Sequence, residues 1–191
     1  MMDRKIDTKA IEKAVRDIIV ALNDNPNREG LVETPKRVAK MYEEVFEGQL
    51  YTNEEIAAMY DKCFTSDSDG MVVEREIPIF SYCEHHMALM YDMTVGIAYI
   101  PKGKVIGLSK MGRIADMCAK RLQLQEKLTQ DIWDVMHMIL GTDDIAVFVN
   151  GRHSCMSARG VKKPALTSTN VLGGAFKSNP SMRSEVMAIF C

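Results

Sequence analysis

Residues 65–70, Thr-Ser-Asp-Ser-Asp-Gly, separate two stretches with different hydrophobic periods, and that change limits the fold more than any other feature of the chain. Before it the apolar residues recur at helical spacing. Asp7 is placed to cap a helix carrying Ile11, Val15, Ile18, Ile19 and Leu22, and Asn, Pro and Gly between residues 23 and 30 break it. Thr34 as N-cap with Pro35 at the first helical position starts a second helix, which presents Val38, Met41, Tyr42, Val45 and Phe46 and stops at Gly48. Thr52 and Glu55 form a capping box for a third, predicted to run to about residue 64.

After the break the pattern turns to β-branched and aromatic residues. Strands are predicted over residues 71–80 and 87–100, the second bulged near Asp92. Helices follow over 110–122 and 125–140, the latter ending at Gly141, then strands over 145–149 and 166–171, and a last helix starting at Ser178 or Asn179. The order implies an α+β fold with a mostly antiparallel sheet, divided into a helical region over residues 1–64 and a second domain over 71–191.

With 24 Lys and Arg against 26 Asp and Glu, the chain has no overall basic field for nucleic acid or an anionic membrane, so a polyanionic partner must be met by a local cluster. No apolar run is long enough to span a bilayer. Lys9, Glu12, Lys13, Arg16 and Asp17 interrupt the apolar stretch an export signal needs. The expectation is a cytoplasmic protein whose five scattered cysteines are reduced. The 15 methionines read as adaptable core filler.

Three of the four histidines fall beside two of the five cysteines. In Cys83-Glu84-His85-His86 a thiolate and an imidazole three apart can close on one ion, and His153-Ser154-Cys155 offers a second thiolate. Cys83, His86 and Cys155 form a soft set suited to zinc, with a fourth tetrahedral position open to water, as catalytic sites keep it. A fourth ligand from His85 or His153 would instead close the ion into a structural site. His137, mid-helix between two methionines, reads as structural.

Ser109, Lys110 and Arg113 lie at the start of a predicted helix, where free amides and the dipole favour phosphate. Arg159 follows the second thiol segment. Such cations are ordinarily solvated surface; beside a metal site they suggest an anionic substrate. Gln125-Glu126 reads either as the polar first turn of a helix or as a carboxylate, with an amide beside it, accepting two hydrogen bonds from an amino-purine edge.

Longer segments carry a resemblance. Thr-Pro-Lys-Arg-Val-Ala-Lys-Met-Tyr at 34–42, Cys-Glu-His-His at 83–86, Ala-Tyr-Ile-Pro-Lys at 98–102, Val-Ile-Gly-Leu-Ser-Lys at 105–110, Gln-Glu-Lys-Leu-Thr at 125–129, His-x-Cys-x-x-Ala-Arg-Gly at 153–160 and Gly-Gly-x-Phe-Lys at 173–177 closely resemble the GTP cyclohydrolase I family. The resemblance covers essentially the whole chain from about residue 7. It implies a tunnelling fold, in which subunits join their sheets into a barrel and pentamers stack into a decamer. It also implies conversion of GTP to 7,8-dihydroneopterin triphosphate and formate, the first step towards folate or related pterins. By the same resemblance Cys83, His86 and Cys155 match zinc ligands, and His85 and His153 match proton-transfer histidines. Glu126, helped by Gln125, matches the guanine reader. Ser109, Lys110, Arg113 and Arg159 match triphosphate binders, and Arg37 matches one reaching in from a neighbouring subunit. Two other readings remain: a zinc-stabilised purine-binding module without turnover, and a related nitrile reductase, whose chemistry needs a cysteine nucleophile and NADPH.

Overall fold

The computed structural model describes residues 4–190, so the first three residues of the helical region and Cys191, one of the five thiols, lie outside it. Helix α1 (Thr8–Ala21) is capped by Asp7, whose carboxylate accepts the Ala10 amide at 3.0 Å. Of its apolar stripe Ile19 is buried, whereas Ile18 stands exposed. Helix α2 (Thr34–Val45) starts one residue earlier than expected. Glu33 already has helical dihedrals and occupies the N-cap without a side-chain bond, so Thr34 begins the helix rather than capping it, with Pro35 in the first turn. Gly48 does not end α2; it lies in a 3-10 turn (Glu47–Leu50) after it. A Cβ at Gly48 would sit 2.1 Å from the Met117 carbonyl, so the glycine is there for close approach of two backbones.

The capping box of Thr52 and Glu55 forms as expected and opens α3 (Asn53–Tyr60). The helix is shorter than its sequence pattern suggested, because β1 (Cys63–Thr65) pairs antiparallel with β4 (Lys104–Ile106), a partner about forty residues away that no local pattern reveals.

Five strands form the main sheet, ordered β5–β2–β3–β6–β7. The long strands β2 (Val72–Cys83), β3 (Ala88–Tyr99) and β6 (Ile145–His153), with β7 (Leu166–Leu172), are antiparallel neighbours; β5 (Leu122–Gln123) adds two residues parallel to the end of β2. The expected bulge is present: Asp92 has φ 50° and the β3–β6 register shifts between Tyr91 and Thr94. Helices α4 (Leu108–Ala119) and α5 (Gln125–Leu140) pack on one face, where Ile79, Val95, Ile97, Met111, Ile132 and Val149 share the main core. Gly141 ends α5 in the left-handed conformation, as predicted. A smaller cluster around Phe148, Phe176 and Val186 holds the last helix, Pro180–Phe190, to the sheet. Asn179 caps that helix, accepting the Ser181 amide at 2.9 Å.

A buried polar knot joins the N-terminal segment to this sheet. Arg121 donates to Gly48 O (3.0 Å), Tyr51 O (2.9 Å), Asn53 Oδ1 (2.8 Å) and Asp131 Oδ2 (3.1 Å). Asp131 also accepts from Lys127, Gln123 and Asn53. Burial pushes its carboxyl up, but these three hydrogen bonds outweigh it and hold the group below its ordinary value.

Candidate active site

Strands β2 and β6 both run antiparallel to β3 and are therefore parallel to each other, so their C-terminal ends leave the sheet at the same edge. Cys83 ends β2, His153 ends β6, and Cys155 follows in a one-turn helix, α6 (Ser154–Ser157). Topology thus unites two segments far apart in sequence. One ring nitrogen of His153 and the sulfurs of Cys83 and Cys155 lie within 4.8 Å of one another. Both cysteines are free thiols, Cys83 buried and Cys155 half-buried. Burial and the adjacent Cys83 sulfur raise the Cys155 thiol above its ordinary pKa. Two sulfurs and an imidazole this close are a donor set for a soft cation, which would draw the thiol protons off as it bound.

The turn between β2 and β3 carries the other histidines. It is fixed by Glu84 N donating to Gln123 O (3.1 Å) and His86 N to Cys83 O (3.4 Å), with Met87 left-handed at φ 50°. His85 and His86 are both exposed. His85 Nδ1 is 3.9 Å from Cys83 Sγ. His86 stands outside the thiol cluster: its Nε2 accepts from Arg159 Nη1 at 3.0 Å, an assignment that follows because guanidinium only donates.

His153 is part-buried, and burial holds its pKa below the ordinary imidazole value while the Glu126 carboxylate pulls upward. Its Nε2 is 2.8 Å from Gln125 Oε1. Gln125 and Glu126 open α5, which β5 delivers to the same edge. Glu126 is exposed, whereas Gln125 is only 1% exposed. Arg159 joins the edge through His86.

Four predicted residues lie elsewhere. Ser109, Lys110 and Arg113 belong to the start of α4, whose other end is tied to β2 by Ser81 Oγ donating to Ala119 O at 2.7 Å. From Ser109 to Ala119 the helix rises roughly 15 Å, so these residues sit at the far end of α4 from the point where it is tied to β2. Arg37 is exposed in the first turn of α2.

Several supporting residues escaped the sequence reading. Ser154 Oγ donates to Leu89 O at 2.7 Å and fastens α6 to β3; Ser157 Oγ donates to His153 O, and Tyr91 OH to Ser157 Oγ, each at 3.2 Å. Thr129 and Thr169 stand behind Gln125, their hydroxyls 2.6 Å apart. The Gln125-to-Thr129 spacing of one helical turn was the available signal for that group.

A Cys/His cluster that could hold a metal, at the strand ends of a mixed sheet, defines an α+β protein with a candidate metal site. Comparison with known proteins narrows this. The family model described as GTP cyclohydrolase I matches residues 11–190. GTP cyclohydrolase 1 of Clostridium acetobutylicum is 54% identical over 191 residues, covering 97% of this chain and 98% of the relative. The enzyme of the same name from Clostridium beijerinckii is 52% identical over 195 residues, covering 98% and 99%. Among solved structures, the apo form of the archaeosine synthase QueF-Like aligns over 57% of this chain and 98% of its own, with a TM-score of 0.38 and 18% identity. The chain belongs to the GTP cyclohydrolase I family, and is a hydrolase of that class.

Proposed function

We propose that this enzyme converts GTP to 7,8-dihydroneopterin triphosphate and formate with the help of zinc, as the first step of folate or pterin synthesis in the cytoplasm. The observation that carries the reading is the meeting of Cys83, Cys155 and an imidazole at one sheet edge in a chain of this family. The donors fit zinc: two sulfurs within reach of one another, with imidazoles beside them. Cys83, Cys155 and His86 are the proposed ligands. Bound zinc would supply Lewis acidity that makes water nucleophilic at neutral pH.

The chain's own residues do the rest. Glu126, exposed at the start of α5, accepts the ring imino and exocyclic amino protons of guanine and repels the acceptor edge of adenine. His153 gives a proton to guanine nitrogen 7, making carbon 8 electrophilic, as water adds there. The carbon 8–nitrogen 9 bond breaks to leave a formamide, and a second water releases formate. The ribose then opens, rearranges, and closes onto the freed amine with loss of water, so one water is consumed in net. His85, beside Cys83, serves the proton transfers of these later steps.

Arg159 binds the triphosphate from the same chain. Ser109, Lys110, Arg113 and Arg37 bind it from neighbouring subunits, a reading supported by the length of α4 between the first three and its tie to β2. A homodecamer of two pentamers with the tunnelling fold accommodates this sharing, and a helical region over 1–64 preceding a catalytic domain over 71–191 is part of the same proposal. Support for joined sheets comes from β7, which pairs with β6 on one side only among the described residues.

The 4.8 Å cluster favours a second reading, in which His153 is the third ligand. Metal analysis of His86→Ala and His153→Ala separates the two, since only loss of the true ligand empties the site. The function itself is tested by zinc analysis of pure protein alongside a fluorescence assay for oxidised neopterin made from GTP. Stoichiometric zinc with fluorescent product supports it; GTP affinity without formate release would identify a binding module instead.

A further inference from the structure

Gln125 is the most completely engaged polar side chain at the edge. Its amide nitrogen donates to Val149 O on β6 and Thr167 O on β7, each at 3.0 Å. Those two carbonyls fix which end of the amide is nitrogen, so the oxygen must be the atom 2.8 Å from His153 Nε2. An amide oxygen only accepts, and Nε2 therefore carries the proton. The neutral ring has one remaining lone pair, on Nδ1.

The hydroxyls behind Gln125 form a short chain: Thr129 Oγ1 donates to Gln125 O at 2.7 Å and lies 2.6 Å from Thr169 Oγ1, which is also 3.5 Å from Val149 O. Thr169 Oγ1 in turn lies 3.4 Å from the Gln125 amide nitrogen. Gly151 leaves room for the arrangement: a Cβ there would stand 2.8 Å from Met93 and 3.4 Å from Gln125 Oε1. With 1% of its surface exposed and both N–H groups on backbone carbonyls, Gln125 offers nothing to a purine.

We propose that Gln125 is a positioning residue that acts through His153, holding Nε2–H so that Nδ1 is the nitrogen that faces substrate, takes up a proton to form the imidazolium and delivers it, and that Glu126 alone reads the base. Thr129 and Thr169 keep Gln125 from rotating. Partners of this kind, which hold the far nitrogen of a working histidine, change activity or metal affinity by about 10–100-fold when removed.

The tautomer is read directly. Nitrogen-15 NMR of the ligand-free wild-type protein, with the His153 signals assigned by their absence from His153→Ala, should show a protonated Nε2 and an unprotonated Nδ1 in the neutral ring. An Nδ1–H ring or an equal mixture overturns the proposal. The kinetic arm rests on GTP cyclohydrolysis at this edge. Gln125→Met, which keeps volume but neither donates nor accepts through nitrogen or oxygen, should lower kcat about 10–100-fold with KM for GTP and the preference over ATP within about threefold. Thr129→Val should give the same pattern more weakly. A raised KM with kcat retained, or a collapsed preference for GTP, would make Gln125 a base reader and overturn the proposal. A wild-type protein with the Nε2–H signal but no GTP turnover would uphold it while removing the functional reading.

Discussion

Two polar clusters flank the end of β2, and they are built to opposite ends. Around Arg121 and Asp131 the charges are buried, paired and hydrogen-bonded: the guanidinium reaches four oxygens and the carboxylate takes four donors. Around Cys83 and Cys155 the groups are near one another yet short of partners, with two thiols, exposed His85 and His86, and a half-exposed edge beyond them. Gln123 belongs to both neighbourhoods, pairing with Cys83 in the sheet while donating to Asp131. The first cluster fixes geometry, with the buried Gln123 Oε1 left without a hydrogen-bond partner among the described residues; the second is the proposed binding site, and its ligands are held in place through the first.

Substitutions at the two clusters should therefore fail in different ways. The largest effect is expected at the thiols: Cys83→Ser or Cys155→Ser should remove bound metal and formate release together, with the thermal midpoint of the metal-free protein nearly unchanged. His85→Ala and His153→Ala come next, losing about 100- to 10,000-fold in turnover with metal retained, as loss of a positioned acid or base does. Metal content and formate release measured on the same preparations separate these classes.

Asp131→Ala should act on stability. It strands the Arg121 guanidinium without its carboxylate, at about 3–5 kcal/mol by denaturant unfolding. Because the folded state holds the Asp131 carboxyl below the unfolded value near 3.8, its stabilising effect is complete above that pH and fades as pH falls through the folded value. The stability gap between wild type and Asp131→Asn should accordingly shrink below about pH 4. A gap that widened in acid would contradict the pairing. The smallest effect belongs to Glu126→Gln, which keeps shape but loses a charged acceptor; GTP affinity should fall about 10–100-fold and the preference over ATP should narrow. Unchanged binding would leave Glu126 as a helix-start residue.

Much of the fold was legible because it depends on local chemistry. Asp7, the Thr52–Glu55 box, Gly141 and Asn179 mark helix ends through bonds to residues a few positions away, and sequence shows such bonds directly. The short pairings β1–β4 and β5–β2 were hidden, since each is made by two or three residues with distant partners. The site divides along the same line. Cys83 and Cys155 stood out by type and spacing, and the strand order brings them together. Gln125 has two readings in sequence, a polar first turn of α5 or an amide assisting Glu126 at a purine edge, and the family resemblance implies the second; the carbonyls of Val149 and Thr167, distant in sequence, are what turn its amide inward. The placement of Ser109 was equally invisible, because it depends on which end of α4 is pinned to Ser81.

The proposed sharing of the open edge between subunits can be measured. Arg37→Ala subunits and His153→Ala subunits, each inactive alone, are mixed under conditions that allow exchange, and formate release from GTP is followed. Restored activity is the predicted result, because a fraction of interfaces then combines an intact Arg37 from one copy with an intact His153 from the other. Mixed oligomers that form and stay inactive, or a wild-type monomer with full activity, would contradict the account.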